Sequence, residues 1–341
     1  MKYYRITALL ALFSLAIVGC DRDEADTDET EQPAVEITPH ITMGNGFVCV
    51  IDDEGSLECH GEKAEEMSEV PQGIFARVSA AALHACAQDV EGSIQCWGVP
   101  DAELPDVPQD RSFRDLSAAF RNLCTIDDDG VVECHGQGSD WEGPEGRMQQ
   151  VSASETSVCA IDDDGDLHCW GVDDDDHLLP FSEDGPFKEL SISNNQVCAL
   201  DDTGQLQCWQ LHESAPETPA RSENFQQLSV QDHYVCAVDD DSTPHCWSAV
   251  TPEGYPTPPE TRVRTLAANN TDACAITTDD DLWCWTTNLD DSGAPPSKLS
   301  HVPMHDPNVD LGPIPADKFN DPDAQLEILK EAQGGDSPDE D

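Results

Sequence analysis

Fourteen cysteines fall into seven pairs, and within each pair the thiols are ten positions apart: Cys49 and Cys59, Cys86 and Cys96, Cys124 and Cys134, Cys159 and Cys169, Cys198 and Cys208, Cys236 and Cys246, Cys274 and Cys284. Paired thiols either oxidise to a disulfide or hold a metal. Zinc knuckles place two ligands about two to four residues apart, and no C-x-x-C occurs in this chain. A disulfide tolerates Cα atoms about 4.4 to 6.8 Å apart, a range that directly opposed residues of two antiparallel strands satisfy. The spacing therefore predicts seven disulfides, each inside its own hairpin, and no metal at the thiols.

The hairpin that must position them is a repeated unit. First cysteines recur every 35 to 39 residues, which makes the chain a repeat architecture. The copy Val158 to Gly171, VCAIDDDGDLHCWG, reads as two short strands around a tight turn in which Gly165 takes a positive φ. Gly55, Gly92, Gly130 and Gly204 hold the same offset, whereas Ser242 and Asp280 replace the glycine in the last two copies, where a looser turn is expected. With the turn centred there, Cys159 opposes Cys169 and Ile161 opposes Leu167, while Val158 on the other face opposes Trp170. Both faces are apolar, as for a small sheet sandwiched between two neighbours. Upstream, an apolar residue eleven positions before the first cysteine (Phe75, Phe113, Met148, Phe187, Phe225, Val263) and then an apolar–Ser/Ala step mark a further strand. The expected fold is all-β, a seven-bladed β-propeller of about 38-residue repeats, each with an intra-hairpin disulfide. Lys298-Leu299-Ser300 repeats the strand signature without a hairpin, so residues 297 to 303 are expected to complete a blade begun at the amino-terminal end.

The segment Asp164 to Gly171, Asp-Gly-x-Leu-x-x-Trp-Gly, resembles the core of the regulator of chromosome condensation repeat, a seven-bladed propeller family that includes alpha-tubulin-suppressor-like proteins. The resemblance spans roughly residues 37 to 303. It rests on the turn glycine, the apolar residue after it and the Trp-Gly, while His60 and His135 stand where tryptophan is expected and only His84 matches the family's histidine. It implies the fold; function does not follow from fold. Nuclear members act on a small GTPase and touch chromatin. A secreted, disulfide-rich chain with a formal net charge of -54 is expected to bind neither a GTPase nor nucleic acid.

Residues 1–19 read as a lipoprotein signal peptide: MKYYR is basic, and the apolar run Ile6 to Val18 is shorter than the roughly 20 residues of a membrane span. Ile17-Val18-Gly19-Cys20 resembles the bacterial lipobox, which assigns the odd cysteine, Cys20, to lipidation and gives the protein a membrane anchor. Residues 20–36 form an acidic tether, 37–303 the propeller, and 304–341 an acidic, mostly disordered tail. The expected location is the bacterial cell envelope, lipid-anchored, periplasmic or on the cell surface.

Seventy acidic residues face sixteen basic ones, a surface suited to a salt-rich, halophilic habitat where ions screen repulsion. The runs Asp127 to Asp129, Asp162 to Asp166 and Asp173 to Asp176 raise calcium binding as a competing reading. Calcium takes six to eight converging oxygens, which a hairpin tip with two exposed carboxylates does not supply. No metal and no cofactor is assigned. G-x-S-x-G, H-E-x-x-H and a phosphate-cradling glycine loop are absent from the sequence. The expected function is a non-catalytic propeller scaffold that binds a protein or glycan, with Trp141 and Tyr255 in divergent linkers as candidate contacts. Two alternatives stand beside it: an extracytoplasmic hydrolase or lyase with its site in the propeller channel, and a structural envelope component.

Overall fold

The computed structural model describes residues 37–100, 102–136, 141, 143–171, 181–194, 196–211, 223–231, 235–247, 262–270, 272–286 and 301–303. They form seven antiparallel sheets, one per repeat, of three or four strands. The first strands, from His40–Gly44 in blade 1 to Val263–Ala268 in blade 7, touch one another in chain order, and the last touches the first. They therefore encircle a central channel. Among the described residues, blades 4 and 7 carry a fourth, outer strand, Phe181–Glu183 and His301–Pro303. One short helix, Glu62–Glu66, follows blade 1.

The hairpin register is that set by the cysteine spacing. Cys159 faces Cys169, Ile161 faces Leu167 and Val158 faces Trp170, and the six other cysteine pairs are aligned in the same way. All seven disulfides are present, with Cα atoms 4.0 to 4.1 Å apart. Each disulfide face packs on the following blade. Cys124 and Ile126 of blade 3 share a core with Met148, Val151, Val158, Ala160 and Trp170 of blade 4. Cys159, Ile161 and Leu167 of blade 4 meet Phe187, Leu190, Val197 and Ala199 of blade 5. A buried Val, Leu or Phe contributes about 1.5 to 3 kcal/mol by leaving water, so these alternating faces weld the ring.

Closure differs from the sequence expectation. The described end of the orphan segment, His301–Pro303, pairs with Asp281–Trp283 and so completes blade 7, while blade 1 draws its first strand from its own repeat. The seam is shut by packing instead: Cys274, Ile276 and Leu282 of blade 7 lie against Ile41, Val48 and Val50 of blade 1. Arg264 Nη1 donates to both carboxylate oxygens of Asp53 in blade 1, at 3.0 and 3.1 Å, and Asn269 donates to the Gly44 carbonyl at 3.1 Å.

The last two turns are also no looser than the rest. Ser242 and Asp280 adopt φ of 65° and 66°, beside 81° to 89° for the five turn glycines, and close the same backbone bond to Asp239 and Thr277. A non-glycine residue there carries a left-handed penalty of about 1 to 2 kcal/mol, partly offset by the lower entropy of its unfolded chain. Ser242→Gly is therefore expected to raise stability by about 0.5 to 1 kcal/mol in a denaturant titration. A loss would mean that the serine side chain supports the turn.

Hydroxyls latch neighbouring blades at the channel. Thr42, Ser79, Ser117, Ser191 and Ser229 accept the backbone N–H of Ala80, Ala118, Ala153, Val230 and Ala268 in the next blade, at 2.9 to 3.1 Å. Blade 7 has Ala267 at this place, so its seam with blade 1 lacks a hydroxyl. Ala267→Ser is expected to add about 1 kcal/mol and raise the melting temperature by about 2 to 4 °C in calorimetry. An unchanged or lower value would show that the seam offers no donor at the repeat-equivalent Met43.

Candidate functional site

The blades share one topology, so all hairpin turns fall on one face and all first-to-second-strand turns on the other. The hairpin face is acidic, but in blades 1 to 6 the first carboxylate of each run caps its own turn through Oδ1. Asp52 Oδ1 accepts the N–H groups of Glu54 and Ser56 at 2.9 and 2.8 Å, and Asp89, Asp127, Asp162, Asp201 and Asp239 repeat that geometry. For Asp162 and Asp239 burial is the largest single influence and pushes the carboxyl up. Hydrogen bonds from His168 or His245 and from the turn backbone together outweigh it and hold both below the usual range. The next residues are exposed, and every tip presents at least one carboxylate, from Asp53 in blade 1 to Asp279 in blade 7. Arg147 pairs with Asp163 of its own blade at 3.3 Å, whereas Arg264 reaches from blade 7 to Asp53 of blade 1. Among the described residues no group of three or more His, Cys, Asp and Glu is placed to hold a metal ion.

The opposite face carries little charge in its turns among the described residues, although helix Glu62–Glu66, whose Lys63 N–H bonds to the Gly46 carbonyl, brings Glu62, Lys63, Glu65 and Glu66 to that side. Its turns carry Asn45-Gly46, Ala81 to Leu83, Phe120-Arg121, Ser154 to Thr156, Ser193-Asn194 and Asn269-Asn270, in which Arg121 and Glu155 are the charged groups among the described residues.

Between the faces, a polar side chain from every first strand stands at the channel: His40, Arg77, Asp115, Gln150, Glu189, Gln227 and Thr265. Asp115 Oδ2 accepts the Val151 N–H at 2.9 Å and faces Arg77 at 3.4 Å. Gln150, Glu189 and Gln227 accept the N–H groups of Leu190, Leu228 and Leu266 at 2.8 to 3.0 Å. Burial pushes the Glu189 carboxyl up to about 7, against the Leu228 N–H and Lys188, which lower it. Burial also raises Asp115 despite Arg77, and burial with Arg77 brings His40 down to about 4. Burial thus disfavours the charged forms of His40, Asp115 and Glu189, and the hydrogen bonds of the ring tie adjacent blades. Nothing in the sequence reading singled it out, although its members all lie nine positions before a first cysteine.

On the outer edge of blade 4, Ser182 Oγ lies 3.3 Å from His168 Nδ1, and His168 Nε2 lies 2.9 Å from Asp162 Oδ2. It is a hydroxyl–imidazole–carboxylate series outside the channel. Of the two aromatic candidates, Trp141 is partly buried and packs with the core shared by blades 3 and 4, so its substitution tests packing before binding. Tyr255, Cys20 and the run Asp173 to Asp176 lie outside the described residues.

No protein-family model and no curated protein matches this sequence. Solved structures do match. The ectodomain of the receptor kinase CR4 from Physcomitrella patens aligns at 17% identity and TM-score 0.62, over 74% of this chain and 73% of that one. The CRINKLY WD40 ectodomain of the receptor kinase ACR4 from Arabidopsis thaliana aligns at 20% identity and TM-score 0.58, over 77% and 98%. Prp20p from Saccharomyces cerevisiae, the yeast RCC1, whose structure was described with its binding to Gsp1p and histones, aligns at 12% identity and TM-score 0.53, over 67% and 77%. With its seven sheets arranged around one channel, the chain is a seven-bladed propeller of the fold seen in these ectodomains and in the regulator of chromosome condensation.

Proposed function

We propose that this protein is a cell-envelope lipoprotein, anchored through Cys20, whose propeller is a non-catalytic scaffold that binds a protein or a glycan with its low-charge face. The contrast between the described turns of the two faces carries the reading. In a chain of net charge -54, acidic residues crowd the hairpin turns, while the turns opposite hold amides, hydroxyls, Leu83 and Phe120. A surface relieved of like charge is where another macromolecule can approach and desolvate. Seven disulfides fit an oxidising, extracytoplasmic compartment, and two of the matched structures are receptor ectodomains.

Full-length protein carrying a photo-crosslinking residue in place of Asn194, on the low-charge face, or of Asp128, on the acidic face, tests the reading in envelope preparations. Adducts are expected from the first position, and Cys20→Ser is expected to move the protein from the membrane to the soluble fraction. Equal adducts from both positions, or none, would remove the binding face.

The Ser182, His168 and Asp162 series favours a second reading, a hydrolase with its site on blade 4 rather than in the channel. A fluorophosphonate probe would report it. Ser182 Oγ would bond to phosphorus as fluoride leaves and His168 takes the hydroxyl proton. Labelling that Ser182→Ala and His168→Ala abolish supports hydrolysis, and an unlabelled wild type ends it.

A further inference from the structure

Large apolar side chains are exposed in one sector of this acidic molecule. Among the described residues they are Ile74, Leu83, Val90, Leu104, Phe120 and Val131, all in blades 2 and 3 or the linkers leading into them. Three of them gather on the low-charge side. Leu83 is at the tip of the first turn of blade 2, Phe120 at the equivalent tip of blade 3, and Leu104 in the linker between them, at 37%, 40% and 45% exposure.

The linker is drawn into place by specific contacts. Val99 donates to the Leu83 carbonyl at 3.1 Å. Gly98 leaves room for this approach, because a Cβ there would stand 2.7 Å from the Leu83 oxygen and 3.1 Å from Ala102 Cβ. Glu103, next to Leu104, lies 3.9 Å from Arg121, whose guanidinium sits 5.2 Å above the Phe120 ring. Arg121 and Glu103 are both well exposed, at 46% and 77%, and the long pairing distance leaves the guanidinium free to take another carboxylate.

We propose that Leu83, Leu104, Phe120 and Arg121 form a docking patch for a protein segment that presents an apolar side chain beside a carboxylate. This rests on the binding reading above and narrows it to one sector and one partner chemistry. Charge complementarity selects the occupant. A basic segment is steered to the carboxylates of the hairpin face, whereas an acidic one is repelled there and meets, in the described turns of the opposite face, the cation Arg121, while Lys63 beside the Gly46 turn is held by Glu66. Docking would seat the apolar anchor between Leu83 and Phe120 and exchange the loose Glu103 contact for a charge-assisted bond to the incoming carboxylate.

Panning a random dodecapeptide display library on the full-length oxidised protein tests this. Peptides pairing an aromatic or aliphatic residue with Asp or Glu are expected to be enriched. Phe120→Ser and Arg121→Glu are each expected to weaken such a peptide by about tenfold or more, with the melting temperature kept. Arg121→Glu is further expected to turn the selection toward Lys and Arg, while Asp128→Asn changes nothing. Selected peptides that bind both patch variants as well as wild type would overturn the patch and leave the binding reading standing. No enrichment over bare matrix would also overturn the patch, and the reading itself would fall if the Asn194 crosslinks were absent too.

Discussion

Full reduction by a thiol reagent will unfold this protein at temperatures where the oxidised form is native. Each disulfide closes a loop of eleven residues inside one hairpin. By the chain-entropy argument one such loop contributes about 3 kcal/mol, so seven together exceed the roughly 5 to 15 kcal/mol by which most domains are stable. The bridges also occupy the interblade cores: Cys49, Cys86, Cys124, Cys159, Cys198 and Cys236 are inaccessible to solvent. Breaking them leaves paired thiols between sheets that a net charge of -54 drives apart. Loss of far-ultraviolet circular dichroism on reduction in partial denaturant is the readout, together with a change in fluorescence from Trp97, which packs beside Cys49 and Cys59. One bridge alone, removed as Cys159→Ala with Cys169→Ala, is expected to lower the unfolding free energy by about 3 kcal/mol. A reduced protein that melts where the oxidised one does would place the stability in the apolar interfaces alone.

The cysteines were legible because a spacing of ten around a three-residue turn, Asp163 to Gly165, admits one register, which Cys159 opposite Cys169 displays. The outward partners of a strand were not legible in the same way. Ser79 was visible as a recurring residue, but the N–H that its hydroxyl accepts belongs to Ala118, 39 residues on. The channel ring was missed for a related reason. His40, Arg77, Asp115 and Glu189 look unrelated until the repeats are aligned, since what they share is a position facing the next blade rather than a chemistry. Asp162 opens a run whose calcium reading the sequence already disfavoured, and its part as a turn cap is one that a local i to i+2 and i+4 pattern could have disclosed. Closure was not legible in the Leu-Ser step, because the step does not identify which strand edge is open to it. The outer edge of Asp281–Thr286 was free to pair with His301–Pro303, and blade 1 already had its own first strand.

Glu189→Gln is expected to stabilise the propeller at neutral and alkaline pH and to do almost nothing in acid. In blades 4 and 6 the equivalent residue is already an amide. Gln227 accepts the Leu266 N–H through Oε1 at 2.9 Å, and its Nε2 donates to Thr265 at 2.8 Å and to the Leu266 carbonyl at 3.3 Å. Glu189 accepts the Leu228 N–H at 2.8 Å but, once ionised, has no proton for a donor role. Its carboxyl titrates at about 7 in the fold because burial penalises the charge more than the Leu228 N–H and Lys188 relieve it, against 4.5 for an ordinary glutamate. Below 4.5 both folded and unfolded chains hold the proton, so the group exerts no pull. Between 4.5 and 7 the unfolded chain ionises first, and the folded state loses stability as pH rises; above 7 the full penalty stands. A shift of that size corresponds to at most about 3 kcal/mol, and because solvent reaches part of the side chain we expect about 1 to 2 kcal/mol. Denaturant titrations of the two proteins at pH 4, 6 and 8 in high salt should diverge progressively, and Gln150→Glu should create the mirror-image loss in blade 4. Parallel curves at all three values would mean that water enters the channel far enough to hydrate Glu189, and the ring would then be a solvated lining rather than a set of interblade ties.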